Sequence, residues 1–264
     1  MPEPIFHFRL RELSAIQPWG QDDPYLSWFS LTDGWYWLTL GGQELFRYLP
    51  HPDYPEPELP YADYTVVRLW EDVLALLPNA LASLPDAIAA WVEDEPLATC
   101  QRIRAFLDSL EGKPLRGEVE EAYVALEWFS RRFLSSGHIA GPRLIVWSVK
   151  DHVRLTWWSD PTSTLVVPVA GTVTMHVDDL IAEVTRFDGA FLAAMTVHVK
   201  QLVKQGGLPG VRIDLNQLEL EDVQRARWLP QAMRKAARHE PDWAPALAWL
   251  EAHGAKVGFD GATE

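Results

Sequence analysis

Seven charged side chains cluster in the first third of the chain and are the residues best suited to chemistry: Asp33, Glu44, Arg47, Asp63, Arg68, Glu71 and Asp72. Carboxylates beside arginines become a tuned acid–base pair when a cleft withdraws them from water. Trp35 and Trp37 would wall such a cleft. The expected binding set is therefore Asp33, Trp35, Trp37, Glu44, Arg47, Asp63 and Arg68, with no catalytic role assigned to any member. The same charges could instead form a salt-bridge network pinning a hairpin to the helix after it, because structural ion pairs perturb carboxylates too.

The eight histidines, at 7, 51, 138, 152, 176, 198, 239 and 253, include no H-E-x-x-H pair and no other helical pair at ligand spacing, so no metal site is expected. His176-Val177-Asp178-Asp179 reads as a strand end followed by a helix capped by Asp178 or Asp179. Asp151-His152 reads as turn chemistry, and His198 as a partly buried residue on a helix flank. Nucleophile elbows, C-x-x-C pairs and supported S-x-x-K motifs are missing. The glycine-rich run Gly206 to Gly210 follows a helix and lacks the phosphate-loop lysine, so no cofactor is expected.

Composition narrows the classes further. With 264 residues, 48% of them hydrophobic, the chain suits one large domain, with 1–138 and 139–264 as possible lobes. A formal charge of -14 argues against nucleic-acid binding and makes a basic protein the natural partner. Thirteen tryptophans and ten phenylalanines can serve a core, an interface or a stacking platform. Cys100 stands alone, which excludes an intrachain disulfide and suits a reducing compartment. No signal-like start and no membrane-length apolar run occur, so a cytoplasmic location is expected.

The elements that must position these residues follow from patterning. Ile5 to Leu13 alternates as a first strand. Gly41-Gly42 supplies the positive φ angles of a two-residue hairpin turn between Trp35–Leu40 and an extended run over Glu44 to Tyr48. Leu49 to Pro60, with five prolines, reads as a stiff surface loop. Tyr64 to Leu77 has helical periodicity, with Val67, Trp70, Leu74 and Leu77 inward and Pro78 as its stop. Further helices are expected over Ala98–Leu110 and over Glu118–Leu134, the latter with Val119, Tyr123, Leu126, Phe129 and Phe133 as its buried stripe. Cys100 would be buried or half-buried.

Arg143–Val149 and His152–Trp158 form a second hairpin turning at Lys150-Asp151, with strands expected over Thr164–Val169 and Gly171–His176. A long helix spans Asp178 to Gln205 and stops at Gly206-Gly207. Asp214 and Gln217 have capping-box spacing and open another helix that breaks near Pro230, and a last short helix covers Trp243 to Ala252. Arg225, Arg227, Arg234, Lys235 and Arg238 make the one local excess of positive charge, able to pair with the acidic first half.

The blocks PWG, LTDGWYW, GGQELFRY and DYTVVRLWEDVL, followed by VKDHVRLTWW, VDDLIAEVTRFDGAFLAAM and ARWLPQA, resemble an uncharacterised bacterial family of unknown function across nearly the whole chain. The resemblance implies one unit and assigns no activity.

The fold expected is α+β: antiparallel sheets built from two Trp-rich hairpins, with helices inserted between them and packed outside. Trp147, Trp157 and Trp158 would pack against the aromatics of the first hairpin. Functionally, a cytoplasmic interaction protein holding a basic partner, such as an immunity protein against a nuclease-like toxin, stands first. A hydrolase using Asp33, Glu44 and Asp63, and a small-ligand module with an aromatic pocket between the hairpins, are the alternatives.

Overall fold

The computed structural model describes residues 3–50, 58–114, 116–134, 139–160, 162–235 and 242–254, the side chain of Trp128 and those beyond residue 252 aside. It contains two antiparallel sheets of four strands each, so the two hairpins do not share a sheet. In sheet one, β2 (Gly34–Leu40) pairs with β1 (Phe6–Leu10) on one edge, and with β3 (Gln43–Leu45) and β4 (Ala62–Asp63) on the other. Gly41 and Gly42 turn the hairpin with φ of 55° and 74°, a left-handed pair that the missing side chains make inexpensive. Gly34 is required for another reason: a Cβ there would lie 2.3 Å from the Arg9 carbonyl oxygen, so the β1–β2 approach admits only glycine.

Helices α1 (Val66–Leu81), α2 (Asp86–Asp94), α3 (Pro96–Ser109) and α4 (Glu118–Ser130) connect the sheets. Sheet two runs in order through β5 (Phe133–Leu134), β6 (Arg143–Val149), β7 (His152–Trp158) and β8 (Ala170–His176). Helix α5 (Val177–Gln205) then crosses sheet one, followed by α6 (Leu215–Arg225), α7 (Trp228–Lys235) and α8 (Ala244–Gly254).

The main core lies between the sheets and draws on both halves of the chain. Phe187 and Phe191 of α5 meet Phe6 and Phe8 of β1, with ring centroids 5.1 to 5.9 Å apart. Each fully buried phenylalanine contributes about 2 kcal/mol, well above residue-to-residue propensity differences of tenths, so packing rather than propensity places α5. β6 is buried on both faces: Leu144 and Val146 enter the main core, while Ile145 and Trp147 enter a second core with α2, α3, α4 and α8. That explains its near-continuous apolar run.

Several boundaries differ from the sequence reading. Pro78 does not end α1; it sits inside the helix, which continues to Leu81. Only the i−4 hydrogen bond to the Leu74 carbonyl is forfeited, and the buried Ala80 holds the last turn. The run over Glu44 to Tyr48 stops at Leu45 because Phe46 takes φ 65° to bury its ring. α4 ends at Ser130, and Phe133 is a β5 residue paired with Ile145. The buried stripe of α4 is Ala122, Ala125, Leu126 and Phe129, while Val119 is 47% exposed.

Thr164–Val169 is not a strand: it makes an isolated bridge between Val166 and Tyr48, and Pro168 lacks the donor a ladder needs. β8 runs straight into α5, so His176 is the N-cap, its side chain accepting from the Asp178 amide, and Asp178 and Asp179 fall in the first helical turn. The proline-rich loop lies for the most part outside the described residues. Lys150 turns the second hairpin with φ 56°, and Asp214 caps α6 by accepting from the Gln217 amide at 2.9 Å, both where the sequence puts them.

Candidate functional site

Strand alternation gathers six of the seven expected site residues at the outer face of sheet one. Trp35, Trp37 and Thr39 point away from the core, opposite Arg9, His7 and Glu44 respectively, while Asp63 pairs with Trp35 from β4. Trp35 is only 2% exposed yet belongs to neither core. Its cover is an arginine: the Arg11 guanidinium lies 4.0 Å over the ring. Arg11 binds Asp33 at 3.1 Å and Asp63 at 2.6 Å. Burial raises the Asp33 carboxyl above its ordinary range, against the opposing pull of Arg11. Trp37 is stacked between His7 at 5.1 Å and Tyr61 at 4.2 Å.

Glu44 accepts from the Tyr61 hydroxyl at 2.7 Å and from Arg47 at 2.8 Å. Arg68 is elsewhere, on α1, with its guanidinium 4.6 Å over Phe29 and 3.3 Å from Glu71. The aromatics of the first hairpin do not meet those of the second as expected. Trp157 alone reaches across, donating from Nε1 to Gln43 Oε1 at 3.1 Å, because Trp35 and Trp37 occupy the opposite face of their sheet. Asp33, Glu44 and Asp63 are thus each engaged by an arginine and hold strands together.

A different carboxylate is unengaged. Helical periodicity buries Trp70, Leu74 and Leu77 of α1 and leaves Glu71 and Asp72 on its rim. Helix α7 packs beside that rim through Trp228, stacked on Trp70 at 5.3 Å. Between them opens a cleft of about 890 Å³, lined by Asp72, Leu76, Phe133, Trp228 and Lys235 among others. Glu71 binds Arg225 of α6 at 3.1 Å, and that guanidinium lies 4.1 Å from the Trp28 ring and 4.8 Å from the Trp228 ring. The sequence expectation that this basic segment meets the acidic half is realised here.

Asp72 has no hydrogen bond or ion pair among the described residues. Burial first, and the adjacent Glu71 second, push its carboxyl up to about 6, with Arg68 opposing. The neighbouring cation Arg131 is already paired with Glu127 at 3.1 Å. Trp228 was absent from the expected set. Its signal was the block ARWLPQA, whose distance along the chain from Trp70 and Asp72 hides the juxtaposition.

The remaining titratable groups read as structure. Asp151 holds His152 at 2.7 Å and His176 at 3.4 Å at an exposed strand end, and no group of three or more His, Cys, Asp or Glu among the described residues could hold a metal ion. His198 is lowered by burial, and the Cys100 thiol, buried, is pushed up to about 12, which makes it a poor nucleophile. His51, His138 and His239, with the side chain of His253, lie outside the described residues. No helix among the described residues is long and apolar enough to cross a membrane.

Sheets, inserted helices and cleft together define an α+β protein with a groove between α1 and α7 lined by Glu71 and Asp72 on one side of the charge balance and Arg131 and Lys235 on the other. A model of a family of unknown function, DUF5984, matches residues 5–248, and the chain belongs to that family. No curated protein and no solved structure matches it.

Proposed function

We propose that the chain is a cytoplasmic interaction protein that captures a basic partner by seating one of its lysine or arginine side chains over Asp72. The observation carrying this reading is the half-buried Asp72 carboxylate, raised to about 6 and unpaired among the described residues, in an open cleft. An acid withdrawn from water without a partner is unfavourable, and a cation delivered from outside relieves the penalty. Leu76, Phe133 and Trp228 supply apolar wall for the methylene stem of such a side chain. The charge of -14 speeds encounter with a basic surface.

The particular form we favour is a bacterial immunity protein that neutralises a nuclease-like toxin, since proteins that bind nucleic acid carry clustered lysine and arginine. The hydrolase alternative has less support, because Asp33, Glu44 and Asp63 are already paired. A ligand pocket between the hairpins has less support as well, because Trp35 and Trp37 face away from the second hairpin.

The test is co-expression with a basic nuclease-like toxin encoded beside the gene. Growth rescue by the wild type that is lost in Asp72→Asn supports the reading. A toxin-free neighbourhood, together with no binding to lysine-rich probes, contradicts it.

A further inference from the structure

A second cavity, of about 520 Å³, lies on sheet two and shares only Phe133 with the cleft assigned above to cation capture. That size falls within the roughly 300–1,000 Å³ typical of small-molecule pockets. Its body is apolar: Ile103 and Leu107 of α3 face Phe133, Leu134 and Trp158 of the sheet, with Phe133 and Trp158 edge to face at 6.4 Å. Two arginines stand among its lining. Arg104 lies 3.8 Å from Asp108, so its charge is partly answered. Arg143, opposite Trp158 in the β6–β7 register, is exposed and makes no direct hydrogen bond or ion pair among the described residues, its charge reaching the Asp160 carboxylate only through space.

An apolar chamber with an exposed guanidinium free of direct protein contacts selects by two independent criteria. Body size and hydrophobicity are read by the walls, and a planar anion by the fork of donors on arginine. The field of a chain carrying -14 disfavours anions at long range, so any anion retained here must be held by short, charge-assisted contacts and by burial of its apolar part. A neutral or cationic guest of the same body would gain nothing from Arg143. We infer that this cavity binds a small apolar carboxylate, an alkyl or aryl acid, with its hydrocarbon body between Ile103, Leu107, Phe133 and Trp158 and its carboxylate on Arg143.

Occupancy is read by isothermal titration calorimetry and by the melting temperature, because the buried Cys100 thiol, though it lines the cavity, is too poor a nucleophile to report it. Octanoate, octanol and octylammonium share one body and differ in head group. With the full chain carrying Asp72→Asn, so that an alkyl ammonium has no carboxylate to bind in the other cleft, octanoate should raise the melting temperature and give a saturable titration, and octylammonium should do neither. Arg143→Gln should weaken octanoate by about tenfold, the size of a lost charged hydrogen bond, and leave octanol unchanged. Arg143 is exposed, so the variant should keep the wild-type circular dichroism. Equal stabilisation by octanoate and octylammonium, unchanged octanoate affinity in Arg143→Gln, or no octanoate effect into the millimolar range would each overturn the assignment. Because the comparison is made without the Asp72 carboxylate, the two readings fail separately.

Discussion

Glu71 and Asp72 are neighbours on α1 with opposite fates: Glu71 is bound by Arg225 at 3.1 Å, whereas Asp72 is unpaired among the described residues. The difference arises from helical geometry. One residue along the helix turns the side chain through about 100°, away from α6 and into the cleft beside α7.

Asp72→Asn should stabilise the protein, and the gain should depend on pH. The folded carboxyl is raised from 3.8 to about 6, so the folded state binds the proton more tightly than the unfolded chain does. Below about pH 4 the group is neutral in both states and the variant should match the wild type. Through pH 4 to 6 the penalty of the charged form grows, and above 6 it is complete, about 1–2 kcal/mol after allowing for partial exposure. Urea denaturation of both proteins at pH 4, 5, 6 and 7.5 checks this. A gain that is constant with pH would contradict the assigned cause.

Arg225→Ala should destabilise by roughly 2–3 kcal/mol, because it removes a cation answering both Glu71 and Glu221 and strips packing from Trp28 and Trp228. Arg225→Lys should recover less than half of the loss, since an ammonium cannot serve two carboxylates and two rings in one plane. Thermal unfolding of the pair decides it. A lysine variant as stable as the wild type would show that the guanidinium geometry does not matter.

Arg11→Ala should uncover Trp35. The indole is 2% exposed with the Arg11 guanidinium 4.0 Å over it and the Arg9 guanidinium farther off at 5.7 Å, and the same change leaves Asp33 and Asp63 without their shared cation. A loss of about 1–3 kcal/mol and a rise in acrylamide quenching are expected. Quenching that stays at the wild-type level would mean that something else covers the ring.

Gly34→Ala should lower stability by about 2–3 kcal/mol without changing surface charge, because the added Cβ meets the Arg9 carbonyl at 2.3 Å and β1 must move off β2. Chemical denaturation checks it. A neutral result would require strand spacing looser than observed.

Much of this architecture was legible in the chain, and the misreadings share a cause. Gly41-Gly42, Lys150-Asp151 and Asp214 act within a few residues, so their turns and caps can be read locally. Pro78 was misread because tertiary burial of Ala80 outweighs one lost hydrogen bond, and Phe133 because pairing with Ile145 overrides helical periodicity. For the site, alternation along β1 and β2 was enough to put Trp35, Trp37 and their charged neighbours together. It could not tell that arginines would engage those carboxylates. Asp72 is visible in the sequence as one of the clustered acids, but its cleft depends on Trp228 and Phe133, which only the fold brings near.

The most direct measurement is the affinity of a lysine-rich probe peptide for the wild type, Asp72→Asn and the control Asp86→Asn, at physiological salt and from pH 5 to 8. Asp86 is 77% exposed, so its loss reports only the general field. If the cleft seats a partner's cation, wild-type affinity climbs as pH rises through about 6, Asp72→Asn is weaker by about tenfold at pH 7.5 with a flat profile, and Asp86→Asn follows the wild type. Equal affinities for all three proteins, or the same pH profile in Asp72→Asn as in the wild type, would contradict it.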